Sequence, residues 1–326
     1  LTRRRTLLRA GAGSLALAGL GGCAVLAPPL DTAALRQAGS APGLPLRAEL
    51  DAVPFVPQTP LHCGPAALAT ALGHAGLPAD VAALGEGVFL PARGGSLAVE
   101  MLGAARRAGA VATRLPGRLP DLLTSVAAGQ PVVMLLNLGL DWLPQWHYAV
   151  LVGYDRPQEL AWLRSGTQRR AEFSFATLER TWARGGRWAL TLLPPEQLSA
   201  TATEADALQA ALGFERAAPP ARAAVAYASF LARWPGRLVA QLGLGNARLA
   251  GGDAAGAAQA FAAAAQQHDS AIAWINLAHA QLALGKRAAA RDAAQQALRR
   301  TAEAEPVWRS QAQAVFDRAQ GAKNPP

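Results

Sequence analysis

The segment Gln58-Thr59-Pro60-Leu61-His62-Cys63-Gly64-Pro65-Ala66-Ala67-Leu68 decides how this chain is read. Proline suits the first turn of a helix, where its missing N–H costs nothing and its fixed φ is already helical. An Ala- and Leu-rich run follows, so the pattern predicts a helix from Cys63 to about Ala75, closed by Gly76. Cys63 therefore stands at a helix N-terminus. There the helix dipole and free backbone N–H groups favour thiolate over thiol, the form that attacks carbonyl carbon. The chain has only two cysteines, and the other, Cys23, belongs to a separate signal near the N-terminus. Cys63 is the candidate nucleophile.

A cysteine nucleophile needs a base for its proton, a group that orients the base, and donors for the oxyanion of the tetrahedral intermediate. Of five histidines, His62 adjoins the nucleophile on a helix start, His74 lies near the end of the same helix, and His268 and His279 fall in a helical region further on. His147 opens an apolar run, Tyr148-Ala149-Val150-Leu151-Val152-Gly153-Tyr154, that reads as a strand, so it sits at a sheet end where a helix N-terminus can face it. Gln58 stands five residues ahead of Cys63. Its side-chain amide and the Cys63 N–H can converge on one oxyanion. Further strand signals lie at Pro131–Asn137, Glu159–Arg164 and Arg187–Leu193, and a second helix is predicted from about Leu97 to Ala108. Helix first and sheet second describes an α+β domain, from residue 49 to the Pro194-Pro195 pair at its end. Trp142 and Trp146, beside His147, read equally as one wall of a cleft or as core.

The combination of Gln58, the Cys-Gly-Pro-Ala-Ala-Leu helix start and His-Tyr-Ala-Val-Leu-Val-Gly-Tyr resembles the papain-like cysteine peptidases, most closely their bacteriocin-processing, double-glycine branch. The likeness covers roughly Val53 to Leu193. It implies Cys63 as nucleophile, His147 as general base and acid, Gln58 as oxyanion donor, and peptide hydrolysis through a thioester. That family carries an Asp on the strand after the histidine strand. Here the place reads Leu163-Arg164-Ser165-Gly166, which makes Ser165 the orienting residue, with Asp155 as the fallback. A hydroxyl can orient an imidazole but stabilises imidazolium far less than a carboxylate does. Asp155 also reads as a turn-forming residue ahead of Arg156-Pro157.

The N-terminus carries Arg3-Arg4-Arg5, a small apolar stretch from Ala10 to Leu20, and Gly21-Gly22 before Cys23. This is the layout of a signal peptide over residues 1–22. Arg4-Arg5-Thr6-Leu7-Leu8-Arg9 resembles a twin-arginine export signal, and Leu20-Gly21-Gly22-Cys23 resembles the bacterial lipobox, which implies a diacylated Cys23. Two acyl chains anchor a protein stably, so the mature chain is expected on a membrane surface, periplasmic side. Ala24 after the cysteine, by likeness to sorted lipoproteins, favours the outer membrane. Residues 23–48 read as a tether.

Beyond residue 196 the sequence turns almost purely helical. Leu244, Gly252, Ala257 and Ala264 recur 33 residues later as Leu277, Gly285, Ala290 and Ala297, while Ala223, Tyr227 and Pro235 lie 34 residues before Ala257, Phe261 and Asp269. That period, with small residues at fixed helical positions, resembles tetratricopeptide repeats from about Thr203 to Gln320 and implies a surface for a protein or peptide partner. Residues 303–319 read as a polar capping helix.

Composition excludes several classes. Hydrophobic residues make up 51% and charged residues 16%, too apolar for a disordered chain. Of the formal charge of +9, four units belong to Arg3, Arg4, Arg5 and Arg9, leaving +5 spread along the rest, with no basic stripe interleaved with aromatics. Nucleic acid is not an expected partner. There is no His-Glu-x-x-His, Cys-x-x-Cys or phosphate loop, so neither metal nor cofactor is expected. Two other readings stay open: a catalytically silent peptidase-fold scaffold that binds peptides and recruits partners, and an enzyme of the same fold that transfers the acyl group to an amine.

Overall fold

The computed structural model describes Leu35 and residues 43–58, 61–90 and 95–321. The expected signal peptide, Cys23 and most of the expected tether lie outside the described residues.

Helix α1 (Cys63–His74) is followed by α2 (Val81–Val88) and α3 (Ala98–Arg107), with a small antiparallel pair, β2 (Phe89–Leu90) and β3 (Gly95–Ser96), between them. The main sheet has seven strands, all antiparallel, in the order β4-β9-β5-β6-β7-β8. These are β4 (Val111–Arg114), β5 (Val132–Asn137), β6 (Trp146–Asp155), β7 (Leu160–Ser165), β8 (Gln168–Ser174) and β9 (Ala189–Leu193). The seventh, β1 (Arg47–Glu49), pairs with the far end of β6, Arg47 opposite Asp155.

The central strands are nearly continuous apolar runs because both faces of the sheet are covered. Val133, Tyr148, Val150, Val152, Leu190 and Leu192 cluster with Ala67, Leu68, Ala71 and Leu72 of α1. The alternate residues Val132, Met134, Leu136, Ala149 and Leu151 are equally buried and point the other way. Helix α4 (Leu119–Ala127) packs on β5 and β6 through Leu119, Leu122, Leu123 and Val126, none of which belongs to the α1 cluster. Helix α5 (Phe175–Arg184) also packs on β5. Nine residues of α1 are buried, so the helix is enclosed rather than amphipathic.

The fold begins earlier than the expected boundary at residue 49. Leu44 is buried, β1 starts at Arg47, and the buried guanidinium of Arg156 donates to the carbonyls of Leu35 and Leu44, each at 2.6 Å. The end of the expected tether is thus structure, held by a charge that must find acceptors once it leaves water. Helices α2, α4 and α5 and strands β4 and β8 are additions to the sequence reading. Strand β8 carries Arg169, Arg170 and Glu172 on an edge and shows no alternation to detect.

The remainder is all helix: α6 (Glu204–Glu215), α7 (Pro220–Arg233), α8 (Leu238–Ala250), α9 (Ala254–His268), α10 (Ala271–Ala283), α11 (Arg287–Glu303) and α12 (Arg309–Gln320), each packed on the next. Pro306 opens a 3-10 turn, so the last helix starts at Arg309, six residues after the sequence reading began it. Positions 33 residues apart do the same work. Gly252 and Gly285 both turn between helices with positive φ, and Ala257, Ala264, Ala290 and Ala297 are all fully buried. Helix α8 is squeezed between aromatics of its neighbours: a Cβ on Gly243 would collide with the Tyr227 ring, and one on Gly245 with Phe261. Helix α6 closes the open edge of the sheet, Ala210 and Phe214 packing on Val111 of β4.

Gly245→Val is expected to destabilise the chain by about 1–3 kcal/mol through overpacking against Phe261. A urea melt followed by circular dichroism checks this, and an unchanged midpoint would contradict the close approach.

Candidate active site

Cys63 opens α1 with His62 as its N-cap. The His62 side chain caps nothing in the first turn, which holds no acidic residue either. His62 stacks on Phe89 instead, ring centroids 4.9 Å apart. Leu61, just before it, takes a left-handed backbone with φ +68° and is 59% exposed, a strained conformation for a bulky residue. Gly64 is required by its surroundings, because a Cβ there would strike the Ser96 side chain and lie 3.1 Å from Met101 Sδ. The β2–β3 hairpin thus closes on the helix start.

The thiol is partly buried against the α1 cluster, in which Tyr148 is the nearest strand residue to His147. Burial, and secondarily the proximity of Cys63, pushes the Tyr148 phenol far up, so it stays protonated. Its hydroxyl donates to the Ser96 carbonyl at 3.3 Å, and its ring stands edge-on to Trp188. Ser96 Oγ is buried beside Gly64 with no partner of its own. Ser96 and Tyr148 are the site residues that sequence reasoning missed. Only the Gly94-Gly95 pair beside Ser96 hinted at a close backbone approach.

His147 and Ser165 are brought together: His147 Nε2 lies 2.8 Å from Ser165 Oγ. Burial pushes the imidazole below its ordinary 6.5. With Nε2 engaged by Ser165, Nδ1 is the nitrogen left for a thiol. Among the described residues no hydrogen bond joins Cys63 Sγ to His147. Gln58 lies beside this pair, its Nε2 donating to the Tyr148 carbonyl at 3.1 Å and its Oε1 accepting from Gly166 N–H at 3.0 Å. The amide expected to face an oxyanion is therefore occupied at both ends, with one N–H hydrogen to spare.

Asp155 is placed elsewhere. It ends β6, eight residues from His147, about 26 Å along an extended strand. There its Oδ1 accepts from Gln158 N–H at 3.0 Å. It caps the Arg156-Pro157 turn and cannot orient the imidazole.

The loop between β5 and β6 carries the exposed side chains Leu140, Trp142 and Leu143, and Trp146 at the start of β6 is exposed as well, with Trp142 at 78% and Trp146 at 55%. Neither tryptophan is core. The loop is rigidly built, since Asn137 Oδ1 accepts from the N–H groups of Gly139 and Gln145, and Leu140 and Leu143 exchange backbone hydrogen bonds across the tip. An exposed apolar stretch of chain results, leading into His147.

No family model matches the chain, and no curated protein matches it. Among solved structures it is similar to a protein from Bacillus anthracis described as a C39-like peptidase, with 22% identity over 47% of this chain and 98% of that one, TM-score 0.39. It is also similar to the peptidase domain of Streptococcus ComA, a bifunctional ABC transporter of a quorum-sensing pathway, with 21% identity over 44% of this chain and 98% of that one, TM-score 0.35.

The burial of His147 has a stability consequence. Its folded pKa lies below its unfolded value, so the unfolded chain takes up the proton first as pH falls. Stability is then complete above 6.5 and is lost as pH drops through it toward the lowered folded value, with His279 adding in the same direction. Thermal melts across that range should show Tm falling with pH, and His147→Gln should flatten part of the fall.

Proposed function

We propose that this chain is a cysteine-type peptidase of papain-like, bacteriocin-processing kind, carried on a lipid-anchored bacterial envelope protein. The observation that carries the reading is the 2.8 Å contact between His147 Nε2 and Ser165 Oγ, at the end of the strand whose next residue packs with Cys63. It fixes the imidazole with Nδ1 free, and a neutral imidazole is a base rather than a spent acid. Cys63 Sγ attacks the scissile carbonyl carbon while its proton passes to His147 Nδ1. The oxyanion is met by the N–H groups at the start of α1 and by the spare N–H of Gln58. The C–N bond then breaks as His147 returns the proton to the leaving amine, leaving a thioester on Cys63. Water, deprotonated by His147, hydrolyses it, and the thiol is restored. The exposed apolar stretch of Leu140, Trp142, Leu143 and Trp146 suits a substrate with apolar side chains beside the scissile bond.

The rest of the chain supplies place and partner in this reading. The lipobox cysteine Cys23 tethers the enzyme to a membrane on the periplasmic side, the outer membrane by the residue that follows it. The helices after residue 196, read as tetratricopeptide repeats, dock a protein or peptide, either the substrate itself or an envelope partner. Residues 49–195 and 196–326 are the two functional parts, with the β1 segment added to the first. The silent-scaffold alternative draws on one observation, the missing bond between Cys63 and His147.

Cys63→Ala should abolish hydrolysis of apolar peptides, and His147→Ala should lower it by at least about 10²-fold. A covalent thioester trapped on Cys63 at low pH supports the mechanism, and peptide binding that persists with no turnover in the unmodified chain leaves the scaffold. Ser165→Asp should raise the His147 pKa, because a carboxylate stabilises imidazolium, and a titration by NMR reads the shift directly.

A further inference from the structure

The ladder between β6 and β7 runs from Asp155 opposite Leu160 to Val150 opposite Arg164 and stops there. Carried two residues further, the same register sets Tyr148 against Gly166. There the two strands do not bond directly. The side-chain amide of Gln58 sits between them, donating to the Tyr148 carbonyl and accepting from Gly166 N–H, and the Gln58 backbone N–H donates to the Gly166 carbonyl at 3.0 Å. Tyr148 O and Gly166 N are therefore separated by a whole carboxamide and two hydrogen bonds, far beyond the ~2.9 Å of a direct N–H···O contact. The amide keeps both part-buried backbone groups satisfied while holding the strands apart.

We infer that Gln58 is a positioning residue for the base: its amide splays the end of β7 from β6 by one amide width, and that spacing sets Ser165 Oγ against His147 Nε2. The residues on either side of the wedge are the ones that matter. Tyr148 follows His147, and Gly166 follows Ser165 and opens the two-residue turn to Gln168, with φ +60°. A second contact locks the wedge in place. The buried Arg164, preceding Ser165, donates to the carbonyl of Val53 at 3.2 and 3.3 Å, gripping the segment that leads to Gln58. Removing the amide leaves Tyr148 C=O and Gly166 N–H unpaired. The strands then either close on each other or admit water, and in both cases Ser165 leaves His147. This role rests on the proposed Cys–His reading for its catalytic meaning, but not for its geometry.

The test uses the full chain carrying Cys23→Ser, so that Cys63 alone reports. The first readout is the ¹⁵N NMR signature of the His147 ring, which registers the Ser165 contact whether or not the protein is an enzyme. Gln58→Ala should change that signature as Ser165→Ala does, and the double variant should add nothing further. The second readout is alkylation of Cys63 by iodoacetamide across neutral pH. Alkylation develops no oxyanion, so a residue acting only as an oxyanion donor leaves it untouched. Gln58→Ala and Ser165→Ala should each slow it to a similar extent, on the order of fivefold, with non-additive effects. Gln58→Glu keeps the acceptor for Gly166 but sets a carboxylate oxygen against the Tyr148 carbonyl. It should behave like Gln58→Ala and stands in for it if the alanine variant fails to fold. A wild-type His147 signature in the folded Gln58 variants overturns the inference. Alkylation indifferent to His147→Ala, with the NMR changes as expected, overturns the catalytic reading and leaves the wedge standing.

Discussion

Burial of the start of helix α1 against β6 is the constraint on which the other features depend. From Gly64 through Leu72 every residue of the helix is buried, so neither its axis nor its rotation is free. Alanine at Ala66, Ala67, Ala69 and Ala71 lets the sheet and the flanking helices come close, and glycine at position 64 lets the β2–β3 hairpin close over the first turn. Cys63 is held at the N-terminal end of the helix, one residue outside this packing, as Gly73 and His74 are at the other end. Its position is a consequence of core density and needs no dedicated contact.

Two buried arginines extend the same logic to segments that have little core of their own. Arg156 is fully buried and Arg164 is 3% exposed, and the hydrogen bonds described for each run to backbone carbonyls. A guanidinium carries five donors in a fixed fork, so one residue can gather several carbonyls from an irregular stretch of chain. Arg156 gathers Leu35 and Leu44 at one end of β6, and Arg164 gathers Leu50, Asp51, Val53 and Arg169 near the other. The chain from Leu44 to Gln58 is thereby fixed along the sheet although it forms only one short strand. An irregular segment that is buried has to be anchored in some such way, because its backbone carbonyls need donors once they leave water.

How much of this was legible follows from what each element had to bury. The enclosed helix α1 and the central strands announced themselves by continuous apolar runs and by Gly-Pro punctuation, and their ends were read within a residue or two, Val132–Asn137 against an expected Pro131–Asn137. The repeat was legible because the same packing recurs, with Gly252 and Gly285 in equivalent turns. Elements that bury little left no pattern: β8 is an arginine-rich edge, and α2 contains Gly85 and Gly87 within eight residues. In the site, the helix-start motif pointed to Cys63 and the strand start to His147, while Ser165 came only from the resemblance to the family, at the place of its Asp. Asp155 stands where the sequence put it, at the end of the histidine strand, and there it holds the Arg156-Pro157 turn and does not face His147. Gln58 was seen, but its contacts lie 90 and 108 residues away, and no local pattern encodes a side chain that replaces a rung of a ladder.

A hydroxyl opposite His147 suits the environment better than a carboxylate would. Ionised groups lose far more than neutral ones on leaving water, and the imidazole here is buried enough to be held below its ordinary range. A carboxylate would offset that by pairing with imidazolium, and would favour a resting thiolate–imidazolium pair. Serine offers orientation without charge, so this contact does nothing to offset the burial that disfavours the charged imidazole. Under the proposed mechanism charge would develop along the reaction coordinate, where the first-turn N–H groups of α1 could meet it. The rate of such a mechanism would depend on an accurately placed substrate. In the proposed reading that placement would fall to the exposed apolar residues from Leu140 to Trp146 and to the helical array that packs on the sheet edge through Phe214 and Val111.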